Sequence, residues 1–246
     1  MRIVVVGGTS SIAEHCCRQW VEREDVDIEL LVRDAGRGER IAADLRTRNP
    51  RATIGVTETG FVDPAAIDDA VARLWDAAPV DLALIAHGWL PPQANCQDDL
   101  ATCRDVIEVN AVSPALFAEA FAARFAGAGR GTLVLLGSVA GDRGRKANYS
   151  YGAAKGFVER YAEGMQHRFA RTGVRVVLAK PGPTDTPMAG PAKAQGRRVA
   201  AVQDVARAIV RGIDRGRPVI YAPWYWRAIM LVVRHIPRPL FNRLEI

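Results

Sequence analysis

Apolar and polar positions follow two different periods along this chain, and segments of the two kinds alternate. Short runs of aliphatic residues, such as RIVVVG at 2–7 and GTLVLLGS at 131–138, predict buried strands. Longer stretches with apolar residues at helical spacing lie between them, such as SIAEHCCRQWVER at 11–23. Strands are predicted at 2–7, 27–33, 52–58, 80–88, 131–138, 174–182 and 218–223.

The helical pattern predicts helices at 11–23, 36–48, 64–77, 98–126, 149–172 and 202–216. The fourth is predicted as one long helix or as two, broken near Ser113 and Pro114. Residues 183–202 are predicted to form a loop or lid. Because strands and helices alternate strictly, the sheet should be parallel, with helices on both faces.

The predicted fold class is therefore α/β. We expect a single doubly wound Rossmann-like domain with a seven-stranded parallel sheet over residues 1–222. A basic and apolar C-terminal helix and tail is predicted to follow at 223–246.

Composition sets limits on this picture. A chain of 246 residues, 49% apolar and 24% charged, suits one large globular domain. The apolar run at 1–8 breaks at glycine, so no secretory signal is expected, and no apolar stretch approaches the ~20 residues that span a bilayer. The four cysteines are spaced for neither disulfides nor zinc, which favours reduced thiols in the cytoplasm and no metal site.

The segment VVGGTSSIAEH at 5–15 lies where the first strand turns into the first helix. Small residues there let the backbone approach a pyrophosphate, and a helix N-terminus favours its negative charge. Only Gly7 and Gly8 remain of a glycine-rich fingerprint, because Ser11 and Ala13 stand at the other positions. The alternative is a tight strand–helix connection without a ligand.

The end of the second strand bears on the choice of dinucleotide. An acid there suits the ribose 2′-hydroxyl of NAD, whereas an arginine suits the 2′-phosphate of NADP. The strand ends LLVRD, so Arg33 favours NADP(H) as the cofactor, with NAD(H) as the alternative. Arg33 could instead be solvated, with Asp34 capping the next helix.

Tyr151 and Lys155 are four residues apart, so a helix places them on one face. The lysine ammonium is expected to lower the pKa of the phenol, which makes Tyr151 a proton donor for a carbonyl oxygen that receives hydride. Ser138, at the end of the fifth strand, is positioned to hydrogen-bond that oxygen. Asn110 is predicted to hold a water that connects Lys155 to solvent.

These residues carry a family resemblance. Gly7-Gly8 with Ser11-Ile12-Ala13, then Asn110, Ser138, Tyr151, Lys155 and Pro181-Gly182 resemble, in order and spacing, the short-chain dehydrogenase/reductase family over about residues 2–222. The resemblance implies Tyr151 as acid/base, Lys155 as its tuner and ribose ligand, Ser138 as carbonyl binder and Asn110 as relay. The implied cofactor-binding residues are Gly7, Thr9, Ser10, Ser11, Ile12, Arg33, Gly88, Tyr151, Lys155, Pro181, Gly182, Thr184 and Thr186.

The sequence departs from the family pattern at two strand ends. Gly60 stands where an acid usually contacts adenine, and only Gly88 remains of an Asn-Asn-Ala-Gly segment that reads IAHG here. His87, in that segment, has two interpretations, a structural histidine or a catalytic one.

The chain ends in WYWRAIMLVVRHIPRPLFNRLEI. At helical spacing Arg227, Leu231, Arg234 and His235 fall within one arc of about 100°, and the rest of the circumference is apolar. This pattern is typical of a helix lying in a membrane interface, and Arg238 and Arg243 would add attraction for anionic head groups. A helix that closes the fold or packs in a dimer shows the same pattern.

A closer resemblance, within the family, is to the reductases of decaprenylphosphoryl-2-keto-β-D-erythro-pentose. It rests on VVVGGTSSIA, on GDRGRKANYSYGAAK at 141–155 and on the tail. It implies a lipid-linked keto substrate, a flavin oxidase partner and a peripheral position on the inner face of the cell membrane. Arg143 and Lys146, beside Arg145, would then bind the substrate phosphodiester; the alternative is a solvated basic loop.

Two other functions stay open from the sequence. One is a soluble short-chain reductase of a β-ketoacyl thioester or a small ketone, with the tail packed in a dimer. The other is a non-catalytic NADP-sensing protein on the same fold. The resemblance also implies a homo-oligomer, and we expect no nucleic-acid partner.

Overall fold

Seven parallel strands form one sheet in the computed structural model, which describes residues 1–190, 193, 196 and 198–244. The strands are β1 (Arg2–Val6), β2 (Asp27–Val32), β3 (Thr53–Glu58), β4 (Leu82–Ile85), β5 (Arg130–Leu136), β6 (Gly173–Pro181) and β7 (Val219–Ala222). Their order across the sheet is β3-β2-β1-β4-β5-β6-β7. The predicted doubly wound, seven-stranded parallel sheet is therefore confirmed.

Helices connect the strands and cover both faces of the sheet. They are α1 (Ser11–Val21), α2 (Ala35–Arg48), α3 (Pro64–Ala77), α4 (Gln93–Asp98), α5 (Leu100–Ile107), α6 (Ser113–Ala128), α7 (Tyr149–Phe169), α8 (Val202–Asp214), α9 (Trp226–His235) and α10 (Arg238–Phe241). A π-helical turn, Glu108–Val112, joins α5 to α6, and 3₁₀ turns lie at Val139–Gly141 and Pro187–Ala189.

Alternation along each strand divides the core into two layers. Ile3 and Val5 of β1 face one layer, which α1, α2 and α8 cover, and Trp20 is its largest buried side chain. Val4 and Val6 face the other layer, which α3, α6 and α7 cover. Both faces of β1 are apolar because helices cover the sheet on both sides. A strand with one face in solvent would instead alternate apolar and polar residues.

The helical segment predicted at 98–126 forms one long helical stretch, Leu100–Ala128, which confirms the first of its two predicted forms. It does not break near Ser113 and Pro114, because a π turn precedes the proline and accommodates a residue without an N–H. One strand prediction is wrong in detail. Strand β4 ends at Ile85 rather than at Gly88, because the chain leaves the sheet there to line the cleft described below. The predicted loop or lid at 183–202 falls partly outside the described residues.

One described helical stretch, Leu100–Ala128, is long and apolar enough by length and composition to cross a membrane, although the sequence analysis expected none. Its apolar character has another source. Phe117, Phe121 and Phe125 are fully buried against the sheet, and burial of each stabilises the fold by roughly 1.5–3 kcal/mol.

The carboxyl ends of the parallel strands meet at one edge of the sheet. Gly7 follows β1, Arg33 follows β2, Ser138 follows β5 by two residues and Gly182 follows β6. In an open α/β sheet this edge is where ligands bind. The topology therefore brings together residues that are far apart in sequence.

Candidate active site

A cleft of about 560 Å³ lies at this edge of the sheet. Every residue of the predicted cofactor set lines it, as does Ser138. Asn110, Arg143 and Lys146 do not line it. Further residues line the cleft that sequence reasoning did not assign to the site, among them Arg37, Phe61, Trp89, Leu90, Arg145 and Met188.

The turn after β1 leaves room for a phosphate group. Gly7 has φ +80°, and a Cβ there would lie 2.7 Å from His87, so only glycine fits. Ser10, at the N-cap of α1, makes no side-chain capping hydrogen bond. The first-turn amides of α1 thus carry no acceptor from their own cap, which fits the pyrophosphate of a dinucleotide.

The end of the cleft beside β2 is basic. Arg33 and Arg37 both line it, and both are exposed. Asp34 is occupied elsewhere, because its Oδ1 accepts the backbone N–H of Arg37 at 2.9 Å and so caps α2. Asp34 therefore caps the helix, as the alternative in the sequence analysis had it, and Arg33 lines the cleft, where its role as a cofactor ligand stays a prediction. Arg37 was missed, although it lies four residues after Arg33 at the start of a predicted helix.

An adjoining cavity of about 530 Å³ extends from Arg33 along the end of β3. Phe61 and His87 line it, and their rings meet edge to face with centroids 4.9 Å apart. The Arg33 guanidinium lies 6.0 Å from the Phe61 ring centre. An aromatic ring beside a guanidinium offers a stacking surface for a base in place of the missing acid.

His87 is a neutral structural histidine in this arrangement. Burial lowers its pKa to about 3, and the charges of Lys155 and Arg33 act in the same direction. Its Nε2 lies 2.8 Å from the Ser113 hydroxyl. A group that stays uncharged at neutral pH and is already hydrogen-bonded is a poor general base.

Tyr151, Lys155 and Ser138 meet in the middle of the cleft. The Tyr151 phenol hydrogen-bonds with Ser138, and the Lys155 ammonium lies 5.8 Å from the Tyr151 ring centre. Lys155 is 3% exposed and donates from Nζ to the Leu136 carbonyl at 2.9 Å. The Ser138 hydroxyl also accepts the Ala140 N–H at 3.1 Å, which fixes its position at the start of a 3₁₀ turn.

The ionisation of this group differs from the sequence expectation. Burial raises the pKa of Tyr151 to about 12, and the hydrogen bond with Ser138 opposes that rise. Burial lowers the pKa of Lys155 to about 8. The phenol is thus held in its protonated form rather than shifted toward phenolate, because desolvation outweighs the hydrogen bond with Ser138.

Asn110 lies behind the cleft, within the π turn, and is fully buried. Its side-chain amide donates to the carbonyls of Trp89 at 2.7 Å and Val106 at 2.8 Å, and its Oδ1 accepts the Trp89 N–H at 3.0 Å. A Cβ at Gly88 would lie 2.8 Å from that Oδ1 and 3.7 Å from Lys155 Nζ. The side chain of Asn110 therefore holds the Gly88–Trp89 loop against Lys155.

The loop after β6 closes the other end of the cleft. Pro181, Gly182, Thr184 and Thr186 all line it. The Thr184 hydroxyl donates to the Gly182 carbonyl at 2.8 Å, and the Thr186 hydroxyl donates to the Thr184 carbonyl at 3.4 Å. Both hydroxyl oxygens keep lone pairs that can accept a carboxamide N–H.

The basic loop before α7 divides into two parts. Arg145 lines the cleft, and Lys146 is exposed beside it. Arg143 turns the other way: its guanidinium donates to the carbonyls of Arg234 at 2.8 Å and Ile236 at 3.1 Å. Arg143 thus holds the C-terminal segment, because both of its terminal nitrogens point to backbone oxygens there.

The C-terminal helix α9 has one buried and one exposed side. Met230 is 1% exposed, whereas Leu231 is 64% and Val232 is 67% exposed. Trp224 and Ile229 are exposed as well. This outward apolar face, residues Trp224, Ile229, Leu231 and Val232, lies beside the exposed arginines Arg227 and Arg234.

Among the described residues no group of three or more His, Cys, Asp or Glu side chains could hold a metal ion.

Known proteins resemble this chain over nearly its full length. A family model described as short chain dehydrogenase matches residues 1–197. An uncharacterised oxidoreductase of Streptomyces coelicolor is 30% identical over 244 residues, which cover 99% of this chain and 96% of that protein. Another, of Mycobacterium tuberculosis, is 32% identical over 248 residues, covering 98% and 96%.

A solved structure shows the same fold. It is a short-chain dehydrogenase from Sphingobium yanoikuyae in complex with NADPH, with a TM-score of 0.80 and 23% identity. The match covers 99% of this chain and 96% of that one.

Proposed function

Because the chain belongs to the short-chain dehydrogenase family and is an NAD(P)-dependent oxidoreductase of that family, we propose that it reduces a ketone with NADPH, with Tyr151 as proton donor. One observation carries the proposal: Tyr151, Ser138 and Lys155 meet in a cleft beside the Gly7 turn, which leaves room for a phosphate group. A phenol, a hydroxyl and an ammonium at one point can bind a carbonyl oxygen and deliver a proton to it.

The nicotinamide, when bound, supplies a hydride to the carbonyl carbon. The Ser138 hydroxyl hydrogen-bonds the carbonyl oxygen and orients it toward Tyr151. The Tyr151 hydroxyl gives its proton to that oxygen, so the product is an alcohol. A phenol with a pKa of about 12 is fully protonated at neutral pH, which favours the reductive direction.

Lys155 supports the phenolate that Tyr151 leaves behind, because its ammonium lies beside the ring. A proton then has to return to Tyr151. The proposal keeps Asn110 as the place of a relay water, because its side chain meets the Gly88 backbone that also faces Lys155 Nζ.

NADPH rather than NADH is proposed as the hydride donor. Arg33 and Arg37 line the adenosine end of the cleft, while the Asp34 carboxylate is bound to the backbone of α2. Two guanidinium groups lining this end of the cleft suit a 2′-phosphate better than a 2′-hydroxyl. NADPH in the Sphingobium yanoikuyae dehydrogenase also supports this choice.

The first test is Tyr151→Phe, assayed by NADPH oxidation with a ketone. The substitution removes only the hydroxyl, so we expect kcat to fall by about 10²–10⁴-fold while NADPH binds with unchanged affinity. Turnover within a few-fold of the parent chain would show that Tyr151 is not the proton donor.

A finer proposal concerns the substrate: a polyprenylphosphoryl 2-keto-pentose, reduced to the arabinose epimer. The mouth of the cleft combines Arg145 with Trp89, Leu90 and Met188. An arginine beside apolar side chains suits a phosphodiester that joins a sugar to a lipid. Because a keto-pentose of this kind arises by oxidation of the alcohol, the proposal includes an oxidase partner, of the flavin type by resemblance.

Membrane association belongs to the same finer proposal. The outward apolar face of α9, with Arg227 beside it and Arg238 and Arg243 beyond, suits the surface of an anionic membrane. The cell location would then be peripheral, on the inner face of the membrane. The test is co-sedimentation with vesicles of phosphatidylcholine alone or with phosphatidylglycerol; the parent chain should bind only the anionic vesicles.

The substrate test compares three ketones in mild detergent, each with NADPH and with NADH. They are a polyprenylphosphoryl 2-keto-pentose, a soluble β-ketoacyl thioester and a small cyclic ketone. Turnover of the lipid-linked sugar alone would support the finer proposal. Turnover of a soluble ketone alone would support the reductase proposal and rule out the lipid-linked sugar as the substrate.

A further inference from the structure

A buried cluster of charged and hydroxyl side chains lies behind the cleft and takes no part in the chemistry above. Lys180 is 1% exposed and donates from Nζ to Asp142 Oδ1 and to Glu159 Oε1, each at 2.8 Å. The Tyr221 hydroxyl donates to the same Asp142 oxygen at 3.1 Å, and an Arg234 nitrogen lies 3.5 Å from it. One carboxylate thus joins β6, β7 and α9, and Lys180 extends the cluster to α7.

The members of this cluster lie next to the proposed chemical residues. Asp142 directly follows the 3₁₀ turn Val139–Gly141, which begins at Ser138. Within that turn a Cβ at Gly141 would lie 2.8 Å from the backbone of Lys155, so the turn rests on α7. Any shift of Asp142 would therefore move the turn that fixes the Ser138 hydroxyl.

The C-terminal end of α9 is attached to this turn by two arginines. Arg234 reaches Asp142, and Arg143 donates to the Arg234 and Ile236 carbonyls. The Arg143 guanidinium also lies 4.2 Å from the Phe241 ring centre. Since the last carbonyls of a helix lack partners within it, Arg143 completes the helix end while holding it against the site.

The N-terminal end of α9 meets the other side of the site. The Trp226 indole packs against Gly182, where a Cβ would approach it to 2.0 Å. Gly182 lines the cleft at its nicotinamide end. The helix therefore spans the back of the site, with one end on the β6 loop and the other on the Ser138 turn.

We propose that α9 is a positioning element of the active site. Through Asp142 and Arg143, the position of α9 determines the position of the Ser138 hydroxyl. The effect on turnover rests on the proposed reductase function; the mechanical coupling does not. When α9 is seated, the Ser138 turn is held from both sides. When α9 is displaced, the turn loosens, while the Gly7 turn, which hydrogen-bonds to β2, is unaffected.

The coupling is tested by amide hydrogen exchange in the full chain with Arg234→Gln and Arg143→Gln. Three hydrogen bonds protect the turn: Ala140 N–H to Ser138 Oγ, Gly141 N–H to the Ser138 carbonyl and Asp142 N–H to the Val139 carbonyl. We expect exchange at these amides to speed up by about ten-fold in both variants. The matched control is Arg227→Gln, which removes an exposed arginine from the same helix and should leave the turn unchanged.

A kinetic arm tests the consequence for turnover. The same two variants should lower kcat by roughly ten-fold with an unchanged NADPH dissociation constant, because a misplaced hydroxyl affects chemistry more than cofactor affinity. A folded Arg234→Gln or Arg143→Gln variant with parent exchange rates at the turn would overturn the inference. If exchange at the turn is faster in the variants but the parent chain reduces no ketone, the coupling is supported and the proposed reductase function is wrong.

Discussion

The cleft and the outward face of α9 contain the same kinds of residue, arginines among aliphatic and aromatic side chains. They differ in whether those side chains have contacts within the chain. In the middle of the cleft the polar groups have protein partners: Lys155 donates to the Leu136 carbonyl, and the Ser138 hydroxyl accepts the Ala140 N–H. On the outward apolar face, Trp224, Leu231 and Val232 are 77%, 64% and 67% exposed. The side chains in the middle of the cleft are thus oriented by contacts within the chain, whereas those on the outward face of α9 are exposed to solvent.

The difference shows what kind of evidence each region offers. A site whose groups are oriented by buried contacts can be argued from its own geometry, because those contacts fix which atoms meet. A surface of exposed side chains indicates only the chemistry of what would cover it. The predictions below therefore test the cleft by its reaction and the helix by its packing.

The largest effect is expected from Lys155→Met. The methionine fills nearly the same space but removes the ammonium beside Tyr151, so we expect kcat to fall by about 10²–10⁴-fold. Steady-state kinetics with NADPH measures it, with circular dichroism as the control for folding. A loss of less than ten-fold would mean that Lys155 serves the fold and not the reaction.

The next largest effect is on cofactor choice. Replacing both Arg33 and Arg37 with alanine removes two charge-assisted hydrogen bonds to a 2′-phosphate, each worth about 1.5–3 kcal/mol. We expect NADPH to bind at least about 100-fold more weakly, with NADH affinity unchanged, in fluorescence titrations of the two nucleotides. Equal weakening of both would indicate that the arginines hold the pyrophosphate or the fold instead.

The sequence predicted which residues line the cleft better than it predicted their ionisation, for a physical reason. Strand ends are set by topology, so Gly7, Ser138 and Gly182 had to meet once the sheet was parallel. The spacing of Tyr151 and Lys155 likewise fixed their common face. Ionisation was not predictable in this way, because the pKa of Tyr151 depends on how completely the surrounding side chains exclude water.

Side-chain direction was the other limit. Arg143, Arg145 and Lys146 are nearly adjacent in sequence, yet only Arg145 lines the cleft. The position of α9 decides this, because Arg143 donates to the carbonyls of Arg234 and Ile236 at the end of that helix, which lie 91 and 93 residues further along the chain. The domain boundary at 222 and the homo-oligomer stay predictions for the same reason, since they depend on contacts beyond local pattern.

A smaller effect is expected from pH. With a pKa of about 8, Lys155 carries its charge below pH 8 and loses it above, so kcat/KM for NADPH should be flat near neutrality and fall about ten-fold per pH unit on the basic side. Tyr151, at about 12, stays protonated over this range. In Lys155→Arg the fall should move to higher pH, because guanidinium keeps its charge.

Unfolding does not account for such a loss of rate. The folded pKa of Lys155 lies below its ordinary value of 10.5, so burial of its charge destabilises the fold below pH 8 and that cost fades as pH rises toward 10.5. Lys155 therefore contributes a gain in stability over the range where activity falls. If the melting temperature fell in parallel with kcat/KM, the loss of activity at high pH would have to come from a group other than Lys155.

The smallest effect is expected at Leu231, and it separates the two sides of α9. Because Leu231 is 64% exposed, Leu231→Ala should change the free energy of unfolding by no more than about 0.5 kcal/mol. Its neighbour Met230 is 1% exposed, so Met230→Ala should cost about 2 kcal/mol or more in the same urea titration. Equal costs at the two positions would mean that Leu231 is buried in solution, as it would be in a dimer that covers α9. Unequal costs, with weaker binding of Leu231→Ala to anionic vesicles, would instead identify the outward face as a surface kept for a partner outside the chain.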